Sequence, residues 1–140
     1  MGRHRPPAPW SWLAIASLAL APVAAGCTGA GERSIEIAMR YSRFEPSTLT
    51  VRVGQNVRFT LRNEDFIDHE WIVGDDALHA RHETGDEPAH GDRPTEQSIP
   101  ALGVVTTTVR FPEPGTYAYI CHLPGHRVYG MVGTLVVTGG

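Results

Sequence analysis

The chain has 140 residues, with 12 Lys plus Arg, 15 Asp plus Glu, 7 His and a net charge of −3, a length that suits one domain rather than two. Every basic residue is an arginine, and setting aside Arg3 and Arg5 of the first 26 residues leaves ten against 15 acids. That balance makes nucleic acid a poor candidate partner.

In chain order, residues 1–26 read as an export signal. Arg3 and Arg5 precede an apolar stretch from Trp10 to Val23, and "VAAG" places small residues before Cys27. Pro22 interrupts the stretch, which falls short of the roughly 20 residues of a comfortable membrane span. "AAGC" resembles a bacterial lipobox, in which Cys27 would become the lipidated N-terminus, although Ala24 stands where leucine is usual. Ordinary secretion with nearby cleavage and an uncleaved anchor are the alternatives. The expected location is the periplasm or the extracytoplasmic face of the membrane. Residues 27–33 are expected to form a flexible tether and 34–140 the folded domain.

Short stretches with period-two alternation follow: "IEIAM" (35–39), "TLTVRV" (48–53), "NVRFTLRN" (56–63) and "HEWIV" (69–73). Leu49, Val51 and Val53 share one face of the second, and Val57, Phe59 and Leu61 one face of the third. Met39 reads as core filler. Residues 74–97 then form an acidic insert without sustained periodicity, although residues 75–83, "DDALHARHE", predict a two-turn helix capped by Asp75 or Asp76. His79 and His82 would share a face of that helix, with His90 further along. Three readings of these histidines stand: a second, labile metal site, part of an acidic docking surface for a basic redox partner, or a solvated loop. Strands resume with "VVTTTVRF" (104–111), "TYAYIC" (116–121) and "MVGTLVVT" (131–138). Seven to eight short strands predict an all-β antiparallel sandwich or Greek-key barrel with an acidic loop and short-helix insert.

The chemistry concentrates in "YICHLPGHRVYGM", residues 119–131. Four residues separate Cys121 from His126, and four separate His126 from Met131, so one loop between neighbouring strands can gather all three. Pro124 and Gly125 supply a tight turn, and Gly130 relieves crowding before Met131. Thiolate, imidazole and thioether form a soft donor set; zinc has little use for methionine, while copper accepts all three. A second histidine with this set matches the donors of blue-copper electron-transfer centres. His69, opening a strand after the turn-like "NEDFID", is the best choice. Strand alternation turns His122 away from the metal, as a surface residue or one supporting the ligands.

"CHLPGHRVYGMVGTLVV" after "PGTYAY", with "DHEWIVG" upstream, resembles the cupredoxin family, and more narrowly its exported members with a Cys-x4-His-x4-Met loop. The resemblance spans roughly residues 34–138. It implies an eight-stranded Greek-key sandwich holding one type 1 copper that cycles between Cu(I) and Cu(II). The implied ligands are His69, Cys121, His126 and an axial Met131. It further implies that His126 lies at the surface within an apolar patch; Leu123, Pro124 and Val128 would either supply that patch or serve simply as loop packing. Many electron-carrying members place Asn after the first histidine; Glu70 stands there instead, so the hydrogen bonding around the thiolate is an open question. The chain is too short for the extra cluster of a multicopper oxidase. The expectation is therefore a monomeric, lipid-anchored electron carrier, not an enzyme, that meets redox partner proteins; a copper carrier or resistance protein is the alternative.

Overall fold

A computed structural model describes residues 1–2, 31–84 and 93–139. Cys27, His90 and nearly all of the export signal lie outside the described residues. The described residues form nine strands and one helix: β1 (Arg33–Met39), β2 (Phe44–Glu45), β3 (Thr48–Arg52), β4 (Asn56–Asn63), β5 (His69–Gly74), α1 (Asp76–Thr84), β6 (Glu96–Ile99), β7 (Val104–Arg110), β8 (Gly115–Ile120) and β9 (Val132–Thr138). They form two sheets, ordered β2-β1-β4-β7 and β3-β9-β8-β5-β6.

Alternation along each strand decides which side chains enter the space between the sheets. Ile35, Ile37 and Met39 of β1 meet Val57, Phe59 and Leu61 of β4 from one side, and Val51, Trp71, Tyr119, Leu135 and Val137 close the core from the other. Phe59 and Trp71 pack with ring centroids 4.9 Å apart, the kind of aromatic contact that adds to plain area burial. Met39 is fully buried, as its place in the alternating strand requires.

The sandwich differs from the sequence expectation in two ways. Pairing is mixed, because β1 runs parallel to β4 and β3 parallel to β9. Two strands were also not legible. The two-residue β2 is too short for any period, and β6 carries an inward-pointing Glu96 that breaks the apolar alternation. Glu96 is tolerated inside because both its carboxylate oxygens accept from Arg93 at 3.1 Å.

The predicted helix is present. The Asp75 carboxylate accepts the Leu78 N–H at 2.8 Å as its N-cap, and the Thr84 hydroxyl donates to the Arg81 carbonyl at the other end. The helix lies against β5 and β8, which explains why Trp71, Ile72 and Val73 are buried in succession rather than alternately. His79 and His82 face inward and are buried, so this part of the insert is packed structure rather than solvated loop.

Candidate metal centre

One end of the sandwich gathers four connections: residues 40–43, 64–68, 100–103 and 121–131. The last is pinned as a chain of turns by its own backbone. His126 N donates to Leu123 O at 3.0 Å, Tyr129 N to Gly125 O at 3.1 Å and Gly130 N to Arg127 O at 2.9 Å. Gly125 (φ +86°) and Gly130 (φ +94°) take the left-handed backbone these turns require. Cys121 N donates to Met131 O at 3.2 Å and Met131 N to His126 O at 3.0 Å, which stitches the three loop positions together.

The side chains converge accordingly. His69 Nδ1 and His126 Nδ1 are 3.2 Å apart, and Cys121 Sγ is 3.2 Å from the same His126 nitrogen. One donor atom from each of the three lies within 4.8 Å of the others. His69, Cys121 and Met131 are fully buried, and only His126 reaches partly into solvent. Four of the sequence-predicted residues thus occupy one end of the fold as a His2CysMet set, which suits copper and leaves zinc a methionine it does not need.

Two supporting residues were missed by sequence reasoning. The Asp65 carboxylate accepts from His69 Nε2 at 2.8 Å, which leaves Nδ1 bare toward the other donors. The same carboxylate accepts the backbone N–H groups of Tyr41 and Ser42, each at 2.8 Å, and both residues sit at φ +52°. Burial raises the Asp65 pKa, but these three donors outweigh it and hold the group below the usual carboxylate range. Asn63, itself buried, donates to the carbonyls of Ile67 and Pro100 and accepts the Asp65 N–H at 2.9 Å, fixing the approach to His69. The only hint in the sequence is the polar "NEDFID", where Asp65 stands one helical turn before His69.

The Glu70 question is settled by the backbone. Glu70 N–H donates to Cys121 Sγ at 3.3 Å, a backbone contact that does not involve the Glu70 side chain. Burial pushes the Cys121 thiol pKa up, only partly offset by the N–H groups of Glu70 and Leu123, so the metal-free thiol keeps its proton at neutral pH. Burial and the neighbouring His69 push His126 down, so its ring is neutral there. Copper uptake is therefore expected to release the thiol proton, with apparent affinity rising about tenfold per pH unit between about pH 6 and 8. Chelator competition at stepped pH measures this; a flat profile would mean that a thiolate already waits in the metal-free chain.

Replacing Asp65 with Ala removes the His69 support and leaves the Tyr41 and Ser42 N–H groups without their acceptor. Copper affinity should fall by about 10- to 100-fold. Equilibrium competition checks this, and an unchanged affinity would show that Asp65 does not orient the ring.

His122 turns away from this set, as alternation predicts, and meets α1. Its Nε2 lies 3.0 Å from His79 Nδ1, and its ring centroid lies 5.3 Å from that of His82. Sequence reasoning grouped His79 and His82 with His90 rather than with His122. The spacing of residues 43 apart carries no signal of that contact.

Comparison with known proteins gives a consistent picture. Residues 32–138 match the family described as "Copper binding proteins, plastocyanin/azurin family". The "Copper-resistant cuproprotein CopI" of Rubrivivax gelatinosus is 32% identical over 117 residues, covering 80% of this chain and 70% of that protein. Auracyanin-B of Chloroflexus aurantiacus is 33% identical over 110 residues, covering 68% of this chain and 47% of the relative. The solved structure of auracyanin A, a "blue" copper protein from the same bacterium, superposes with a TM-score of 0.63 at 30% identity, covering 77% of this chain and 100% of that one.

Proposed function

The chain belongs to the plastocyanin/azurin family of copper-binding proteins, and from that premise we propose that it carries single electrons in the cell envelope. His69 Nδ1, Cys121 Sγ, His126 Nδ1 and the Met131 thioether would hold the ion. Copper, when bound, supplies a one-electron couple between Cu(I) and Cu(II). The observation that carries the reading is that the donors are already assembled by hydrogen bonds independent of any metal: Asp65 to His69, Glu70 N–H to Cys121, and the stitched backbone of the loop. Ligands held in this way have little freedom to rearrange when the charge at the site changes, which favours rapid exchange.

The surface supports the same reading. His126 alone among the donors reaches solvent, and around this end of the sandwich stand exposed Val128, Tyr129, Phe66 and Leu102. An apolar rim lets a redox partner approach the His126 edge without stripping water from charges. Placing Asp at Val128, which is 88% exposed, should slow electron exchange with a negatively charged partner about tenfold and leave the visible spectrum unchanged. Stopped-flow mixing measures this; an unchanged rate would move the contact elsewhere.

A second reading is copper handling, favoured by the 32% identity to a protein named for copper resistance. Copper tolerance of cells lacking the chain separates the two. Tolerance restored by wild type but lost with redox-silent, copper-retaining variants favours electron transfer; tolerance that follows copper binding alone favours handling. Export and lipidation at Cys27 belong to the same proposal, supported by "AAGC" after an apolar stretch. Release of Cys27→Ser into the soluble fraction, with wild type in the membrane fraction, is the expected result.

A further inference from the structure

We propose that His79, His82 and His122 form a second metal site, distinct from the His2CysMet set, that takes a divalent late transition ion, Cu(II) foremost. The three imidazoles come from two places: His79 and His82 from the inner face of α1, and His122 from the residue immediately after Cys121. Adjacent residues point to opposite sides, so Cys121 faces the sandwich interior while His122 faces the helix.

Two features mark this cluster as ligand-like. The first is tautomer control. His79 Nε2 lies 3.2 Å from the Ala118 carbonyl, to which it donates, leaving Nδ1 as a lone pair 3.0 Å from His122 Nε2. His82 Nδ1 donates to the Leu78 carbonyl at 3.0 Å, and its Nε2 turns toward the Glu96 carboxylate. A ring nitrogen anchored on a backbone carbonyl, which fixes the orientation of the ring, is the usual arrangement of metal-bound histidine. The second is an internal likeness. The His69–His126 pair of the copper set shows facing imidazole nitrogens 3.2 Å apart, nearly the same separation as the 3.0 Å of His79 and His122.

His79 and His122 supply the chelating pair. His82, whose ring centre is 5.3 Å from that of His122, is the third ligand of the proposed site. The Glu96 carboxylate, 3.6 Å from His82 Nε2 and held by Arg93, provides negative charge on that side. Burial lowers the His79 pKa, so the ring is neutral and ready to ligate at pH 7. A surface cleft of about 360 Å³ lined by Asp76, His79, Glu83 and Arg127 offers an access route. With imidazole donors and neither thiolate nor thioether, the site prefers Cu(II) or Zn(II) to Cu(I), and Cu(II) binds the more strongly.

The test adds Cu(II) to protein whose first copper is already in place. Two coppers per chain are expected: one with the spectrum of the thiolate-bound centre, and a second with a tetragonal paramagnetic resonance signal split by imidazole nitrogens. His79→Gln and His82→Gln, made singly, should weaken the second at least tenfold and leave the thiolate band unchanged. Because both side chains are buried, a variant-free measurement accompanies them. The second equivalent should protect His122 of the wild type, which is half-buried, from carbethoxylation, read by mass spectrometry. A single copper per chain, a second copper retained at full affinity in both folded variants, or protection of other histidines instead would each overturn the proposal. A missing thiolate band would instead count against the first centre.

Discussion

Replacing Cys121 by serine is expected to abolish the intense visible absorption of the copper-loaded protein and to lower copper affinity by about 100-fold or more. Loss of a hydrogen bond that merely supports a ligand costs about 10- to 100-fold, and here a ligand itself is lost. Serine offers a hard oxygen that stays protonated at neutral pH, while Cys121 is the sole cysteine among the described residues. Cys121 is fully buried in the core, but serine is close to it in size, and the Glu70 N–H, 3.3 Å from Sγ, keeps an acceptor in the hydroxyl. The metal-free variant should therefore melt close to wild type, so that lost colour reports lost ligation and not lost fold. Absorption and paramagnetic resonance after copper loading, together with thermal melts, decide the matter. Retention of the intense band in the variant would place the thiolate elsewhere in the chain.

Gly133→Ala is expected to produce the largest loss of stability from a single methyl group. Gly133 of β9 stands directly opposite Tyr119 of β8, and the outer edge of the Tyr119 ring covers it. A Cβ at this position would come within 2.1 Å of the ring. The ring cannot retreat, because it is fully buried, its hydroxyl donates to the Pro46 carbonyl at 2.7 Å, and it packs in a T-shaped contact with Phe44, centroids 5.1 Å apart. The strands must shift or the ring must leave, at a cost of about 2–3 kcal/mol and about 10 °C in Tm. Tyr119 lies two residues before Cys121 on the same face, so the disturbance should also reach the metal centre and change the copper spectrum. Thermal melts of the metal-free and copper-loaded forms test both parts. A variant as stable as wild type would mean that the two sheets are less tightly set than the packing indicates.

The metal loop was legible because its information is local. Cys121, His126 and Met131 lie within eleven residues, and their chemistry is too unusual a combination for a plain turn. The alternating strands were legible for a similar reason: one side of each faces the core, and the period of two is written directly in Val57, Phe59 and Leu61. His69 was reachable only through its place at the start of a strand and the family likeness of "DHEWIVG", and its position beside His126 depends on β5 and β8 being neighbours in one sheet. Asp65 and Asn63 were legible only as members of the polar "NEDFID", since each acts on backbone groups of loops that only the finished fold brings together.

By itself, then, the sequence determined the strand-forming segments, the capped helix and the soft donor set of one loop, all properties that residues express within about a dozen positions. Tertiary structure decided the parallel pairings of β1 and β3, the anchoring of His69 by Asp65, and the meeting of His122 with His79 across 43 residues. The physical reason is that periodicity and donor chemistry belong to residues, whereas an orienting hydrogen bond belongs to a pair. Sequence distance does not encode which polar group will sit within 3 Å of another once the two sheets close.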